Sequence, residues 1–195
     1  MLTFARRMKI ISAPYNCLAG NNGGESAFLL QGPLLEALPD CALLRERWPF
    51  FVPDWDERFV AHMQLAVRID RLGKDIAERF AHRYYGQVTA SVRFCSADHP
   101  AVVFDGCVAT GKWTPPQDQA RLRLEIDGHT VQTGEGEQMA FGIDRLIAHA
   151  SRFLTLKTGD IILCGPCSAE GILLREGQTL TAWLNDEPLL HMRIK

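Results

Sequence analysis

The chain has 195 residues, 47% hydrophobic and 23% charged, with 21 basic against 23 acidic side chains and a formal net charge of −2. Those values exclude a disordered chain and allow one good core rather than two. No basic stripe suits nucleic acid or an anionic membrane surface, and no apolar run is long enough to span a bilayer, so neither partner is expected.

Residues 1–7 read as an N-terminal extension, and a single domain is expected over 8–195, opening with MKIISA as its first strand. No signal-peptide pattern follows the two early arginines, and six cysteines in that setting read as reduced thiols of a cytoplasmic protein. AGNNGGES, 19–26, reads as a surface loop. FVAHMQLAVRI, 59–69, alternates: Phe59, Ala61, Met63, Leu65, Val67 and Ile69 share one face, while His62, Gln64 and Arg68 lie on the other, which predicts a strand with one buried side. KDIAERFAHRYY, 74–85, spaces Ile76, Ala77, Phe80, Ala81 and Tyr84 as a helical stripe. QVTASVRF returns to strand, with Gln87, Thr89, Ser91 and Arg93 on one face, and a further strand is expected at 101–104. Asp127-Gly128 between two strand-like runs predicts a hairpin. GIDRLIAHASRFL predicts a helix with Ile143, Leu146, Ile147, Ala150 and Phe153 inward, and GDIILCG, TLTAWL and LLHMRI close the chain as short strands.

Two motifs suggest chemistry that their surroundings do not support. GCVATGKW, 106–113, has phosphate-loop spacing, but Trp113 stands where a magnesium-binding hydroxyl is needed and Pro115-Pro116 prevent a following helix; a strand–turn–strand is expected. Cys164-Gly-Pro-Cys167 has the spacing of thiol–disulfide oxidoreductases, yet SAEGILLREGQTL after it carries no helical stripe whose dipole would activate a thiol. Two nearby thiols can still pair, so Cys164 and Cys167 remain a candidate redox pair.

SRFLTLKTGDIILCG, followed by LLREGQTLTAWLNDEPLL, resembles the C-terminal part of the fumarylacetoacetate hydrolase family. The resemblance runs through MKIISAPYN, the stretch PFFVPDWDERFVAHMQLAVRIDRLGKDIAERFAHRYYGQVT, and IDGHTVQTGEGEQMAFGIDRLIAHASRFLTL, and is greatest to the short bacterial members. It implies an α+β fold of layered mixed β-sheets with a few helices, usually a homodimer. In active members it also implies a magnesium or manganese ion that polarises a 2-oxo or 1,3-dicarbonyl substrate for C–C cleavage, decarboxylation or isomerisation.

The functional positions implied by that resemblance are replaced. The family's Glu-x-Glu falls on His62 and Gln64, and its later Asp on Arg93. A hard divalent cation needs anionic oxygen ligands. A guanidinium at ~4 Å would repel one by about 8 kcal/mol at an effective dielectric of ~20. No metal cofactor is therefore expected. The Asn-Tyr-x-x-His-x-x-Glu segment keeps Asn16 but has Cys17, Gly20 and Gly23 at its other places, and the family lysine before Gly-Phe-Asp falls on Val102. Gly165 and Pro166 stand in the family's Gly-Thr-Pro substrate loop. No catalytic residue is assigned. His62, Gln64 and Arg93 are expected either to bind a small carboxylate or to have collapsed, with Arg93 paired to Asp54, Asp56 or Glu57 and His62 hydrogen-bonded. No spacing supports zinc on His62 with Cys95 or Cys107. Two functions follow: a catalytically degenerate member that binds a small anion or pairs as a partner subunit, or an enzyme using other ligands such as Asp98, or thiol chemistry.

Overall fold

Period-two alternation sets the long regular segments of the chain into strands, and pairing register decides which side chains meet. The computed structural model describes residues 8–18, 32–44, 47–166, 168 and 170–195. The extension at 1–7 and the Gly-rich stretch 19–26 lie outside them. Among the described residues a seven-stranded sheet comprises β1 (Ile10–Ser12), β2 (Glu36–Leu38), β3 (Phe59–Ile69), β4 (Tyr85–Ser96), β5 (Val108–Thr110), β8 (Ile161–Pro166) and β9 (Ile172–Leu173). Its order is β2-β1-β8-β3-β4-β5, with β9 also against β3. A four-stranded sheet runs β11-β10-β6-β7, from β6 (Arg121–Ile126), β7 (His129–Glu135), β10 (Thr179–Leu184) and β11 (Glu187–Arg193). Asp127 and Gly128 join β6 to β7 with φ of 51° and 78°, the positive pair that matches strand twist in a tight hairpin. With the helix α1 (Ile143–Phe153), the result is an α+β fold of layered mixed sheets.

The main core lies on the face of the large sheet that carries Met63, Leu65, Val92 and Phe94, packed with Leu124, Leu180 and Leu146 from the second sheet and α1. A smaller core, with Ile10, Leu38, Ala42, Ala66, Val108 and Leu163, forms on the opposite face. β3 therefore has its expected buried side, and its second face is also covered at Gln64, only 2% exposed, and Ala66, while Val60, His62 and Arg68 are half-buried. It is an interior strand with β4 on one edge and β8 and β9 on the other.

Three local expectations are corrected. The segment 74–85 forms a 3₁₀ helix over Glu78–Arg83, closed by bonds such as Tyr84 N–H to the Ala81 carbonyl at 2.9 Å. Ser151 of α1 accepts from the Asp75 N–H through its carbonyl and from the Ile76 N–H through its hydroxyl. That tie accompanies a left-handed Asp75 and an extended Ala77, neither of which an α-helix admits. Of the predicted stripe, Ile76 and Ala81 are buried, Tyr84 is half-buried, and Ala77 and Phe80 are exposed. The expected strand at 101–104 is a loop with Val102 and Val103 exposed, and the pairing is made instead by β5. Phe153, read as inward, is 66% exposed at the last position of α1. GCVATGKW becomes a turn and β5, with the Lys112 ammonium facing Glu187 at 3.3 Å rather than a phosphate cradle. Among the described residues no helix is long and apolar enough to cross a membrane.

Candidate functional site

The alternation that sends Met63 and Leu65 into the main core sends His62 and Gln64 to the other face of β3. In the β3–β4 ladder His62 stands directly opposite Arg93, and Gln64 opposite Ser91. β1 brings Ser12 to the same face, beside Leu163 of β8, and β2 places Glu36 opposite Ser12. Four strands thus build one polar cluster on the side of the sheet that holds the smaller core.

Arg93 is its centre. Nη1 donates to Glu36 Oε2 at 2.9 Å and to Ser12 Oγ at 3.2 Å. The arginine is 8% exposed, whereas the Glu36 side chain is 40% exposed. Burial opposes the guanidinium charge, but the Cys95 sulfur and the Glu36 carboxylate outweigh it and hold the Arg93 pKa above its ordinary value. Burial raises the pKa of the Cys95 and Cys107 thiols, which therefore stay protonated at neutral pH. His62 moves the other way: desolvation first, then the Arg93 charge, lowers its pKa against a smaller opposing effect from the Ser168 backbone, so the ring is neutral at pH 7.

Two buried nitrogens in the cluster have no hydrogen-bond partner among the described residues: His62 Nδ1 and Gln64 Nε2. Each such group costs about 1–3 kcal/mol. Stability alone does not explain them, and a water, an ion or a small ligand is what such groups take as partner. The chain beyond β8 closes over His62. A Cβ on Gly171 would lie 2.8 Å from His62 Nε2 and 2.7 Å from the Val60 Cβ, so only glycine admits that approach.

The divalent ion implied by the family resemblance does not fit these residues. His62 offers a neutral imidazole, Gln64 leaves its amide nitrogen unsatisfied, Arg93 is a cation, and the carboxylate that reaches the cluster, Glu36, is already bound to Arg93. Among the described residues no group of three or more His, Cys, Asp or Glu side chains could hold a metal ion, which leaves zinc on His62 with Cys95 or Cys107 equally without a site.

Other expected positions have other roles. The partner of Arg93 is Glu36, and not Asp54, Asp56 or Glu57. Asp56 binds His99 and Ser96, and these hydrogen bonds hold its pKa down to about 2. The hydrogen bond expected for His62 is made with the Ser168 backbone, and Nδ1 is left without a partner among the described residues. Asn16 is a structural tie, since its amide donates to the Phe141 and Cys164 carbonyls at 2.8 Å each and its oxygen accepts from the Phe141 N–H at 2.7 Å. Val102 sits in the exposed loop, 43% accessible. Gly165 has φ of 97°, and a Cβ there would meet the Ala13 carbonyl at 2.5 Å. With Pro166 it lines a void of about 10 Å³ beside Leu65 and Met139, room for one water. Asp98 is taken up by Arg58. Cys164 is fully buried in β8 rather than at a helix start, while Cys167 and Gly20 lie outside the described residues. Ser12 and Glu36 were missed by sequence reasoning. Nothing local marks them, because their place depends on the β1–β2 and β1–β8 pairings.

Comparison with known proteins agrees with the fold. The family model described as fumarylacetoacetate (FAA) hydrolase C-terminal matches residues 34–194. The mitochondrial oxaloacetate tautomerase FAHD1 of Pongo abelii is 26% identical over 188 residues, covering 86% of this chain and 82% of that protein. Among solved structures, the 5-carboxymethyl-2-hydroxymuconate delta-isomerase from Mycobacterium smegmatis superposes with a TM-score of 0.83 at 22% identity, over 96% of this chain and 78% of that one. Fumarylpyruvate hydrolase from Pseudomonas aeruginosa, solved in complex with Mn²⁺ and pyruvate, gives 0.82 at 18% identity, over 97% and 89%. These structural likenesses speak for the fold, and the family match, running from just before β2 through the last strand, adds ancestry: the chain belongs to the fumarylacetoacetate hydrolase family.

Proposed function

We propose that this protein is a catalytically degenerate member of its family that binds a small carboxylate where active relatives hold a divalent ion. The observation that carries the reading is the buried Arg93 guanidinium, bonded to a carboxylate in the centre of the cluster. The P. aeruginosa relative was solved with Mn²⁺ and pyruvate. Here Arg93 takes over charge neutralisation, supplying N–H donors matched to a carboxylate. It offers no open coordination position to polarise a carbonyl, so binding is kept and Lewis-acid activation of the substrate is lost. Gln64 Nε2 adds a neutral donor on the same face. The same reading takes the protein as a cytoplasmic homodimer.

Two measurements test it. Oxaloacetate tautomerisation with added Mg²⁺ or Mn²⁺ should run at the rate of the protein-free control. Acetate titrated into the wild-type protein should bind, and Arg93→Met should abolish that binding. Metal-dependent turnover above the control would contradict the proposal.

A further inference from the structure

Building on that carboxylate-binding reading, we infer that Glu36 is a tethered occupant of the site, which a free carboxylate must displace from Arg93. Glu36 presents to Nη1 the same group that a small carboxylate would, at 2.9 Å. It does so from β2, a three-residue strand at the edge of the large sheet, and its side chain is 40% exposed. Turning that side chain toward water needs no break in the β1–β2 ladder. Arg93, 8% exposed on the interior strand β4, has no such freedom.

The tethered carboxylate fits the cluster incompletely. It satisfies Arg93 while, among the described residues, Gln64 Nε2 and His62 Nδ1 find no partner, although Gln64 is 2% exposed on the same face. Gln64 Nε2, on the same face as Arg93, is the donor that a carboxylate free of β2 would engage besides the guanidinium. The titratable groups facing Arg93 are Glu36, His62, Cys95 and Cys107. With neutral His62 and protonated thiols, the Arg93–Glu36 pair is electrically neutral in sum. An incoming anion therefore meets little attraction until Glu36 has moved. Affinity for small carboxylates is set by the fraction of molecules in which Glu36 is released.

Acetate is the probe. Calorimetric titration of the full chain should show Glu36→Gln binding acetate about tenfold more tightly than wild type, as expected when a site filled nine-tenths of the time is freed. Glu36→Asp, with its carboxylate drawn back by one methylene, should fall between them, and it retains the charge if Glu36→Gln folds poorly. Arg93→Met should not bind. Equal affinities for wild type, Glu36→Gln and Glu36→Asp, with binding still lost in Arg93→Met, would overturn the occupant role and leave the carboxylate site standing. If no protein binds acetate in an Arg93-dependent way, both the site and its occupant are refuted.

Discussion

The two faces of β3 differ in how fully they are buried and in what their atoms find there. Phe59, Ala61, Met63, Leu65, Val67 and Ile69 are each 3% exposed or less, and all but Phe59, which packs on Trp55 and Phe104, belong to the main core with the second sheet and α1. His62 and Gln64, interleaved with them on the same backbone, point to a face where an arginine is ion-paired and two nitrogens lack partners. Burial alone does not mark the candidate site, since Gln64 at 2% exposed is as buried as the core face while His62 is only half-buried. Satisfaction of polar atoms does, because a core position is optimised for packing and a binding position keeps donors in reserve for a ligand.

Substitutions on the two faces should behave accordingly. Phe94→Ala removes a ring from the main core, where it stacks on Phe50 at 3.9 Å between centroids; urea unfolding should show a loss of about 3–5 kcal/mol. A loss below about 1 kcal/mol would mean that this face does not carry the stability assigned to it. On the other face the order of effects is the test. Glu36→Ala leaves a buried guanidinium without its carboxylate, with Ser12 and the Cys95 sulfur remaining, and should cost about 1–3 kcal/mol. Arg93→Met removes the buried charge and leaves a carboxylate that is 40% exposed and readily hydrated, so it should cost less than about 1 kcal/mol. The reverse order would break the contrast between the two partners.

Gln64→Leu should be neutral or stabilising by up to about 1 kcal/mol in thermal unfolding, because it replaces an unsatisfied buried amide with an apolar group of similar size. A loss of about 2 kcal/mol would mean the amide is satisfied after all. The smallest effect is a pH dependence. The His62 pKa is depressed in the folded protein, so the unfolded chain binds the proton more readily. Stability is full above the unfolded value of 6.5 and falls as the pH drops below it, until the folded ring titrates. His62→Gln should flatten that slope. Asp56 acts in a lower window: its contribution is present above 3.8 and is lost as the pH falls toward about 2.

Sequence pattern read the β3–β4 ladder, the Asp127-Gly128 hairpin, α1 and the closing strands well, because period and turn chemistry are local. It misread 74–85 because the stripe from Ile76 to Tyr84 is equally compatible with a 3₁₀ turn, and hydrogen bonds to Ser151, about 75 residues away, decide between them. His62, Gln64 and Arg93 were singled out through the family resemblance, and the β3–β4 register brings them to one face. Glu36 was not singled out. Asp54, Asp56 and Glu57 lie closest to β3 in sequence, but Asp56 binds Ser96 and His99 where Phe59 pairs with Ser96, at the far end of the hairpin. Glu36 reaches Arg93 only because β2 pairs with β1, and β1 with β8, through contacts that no local pattern encodes.

The most direct test is a titration of chelator-treated wild-type protein with Mn²⁺, following the free-ion signal by electron paramagnetic resonance. The triple variant His62→Glu/Gln64→Glu/Arg93→Asp would be titrated beside it. The expected result is no loss of free-ion signal with the wild type and a loss with the variant, whose restored carboxylates supply the missing ligands. Stoichiometric Mn²⁺ uptake by the wild type that disappears in His62→Ala would contradict the loss of the metal site.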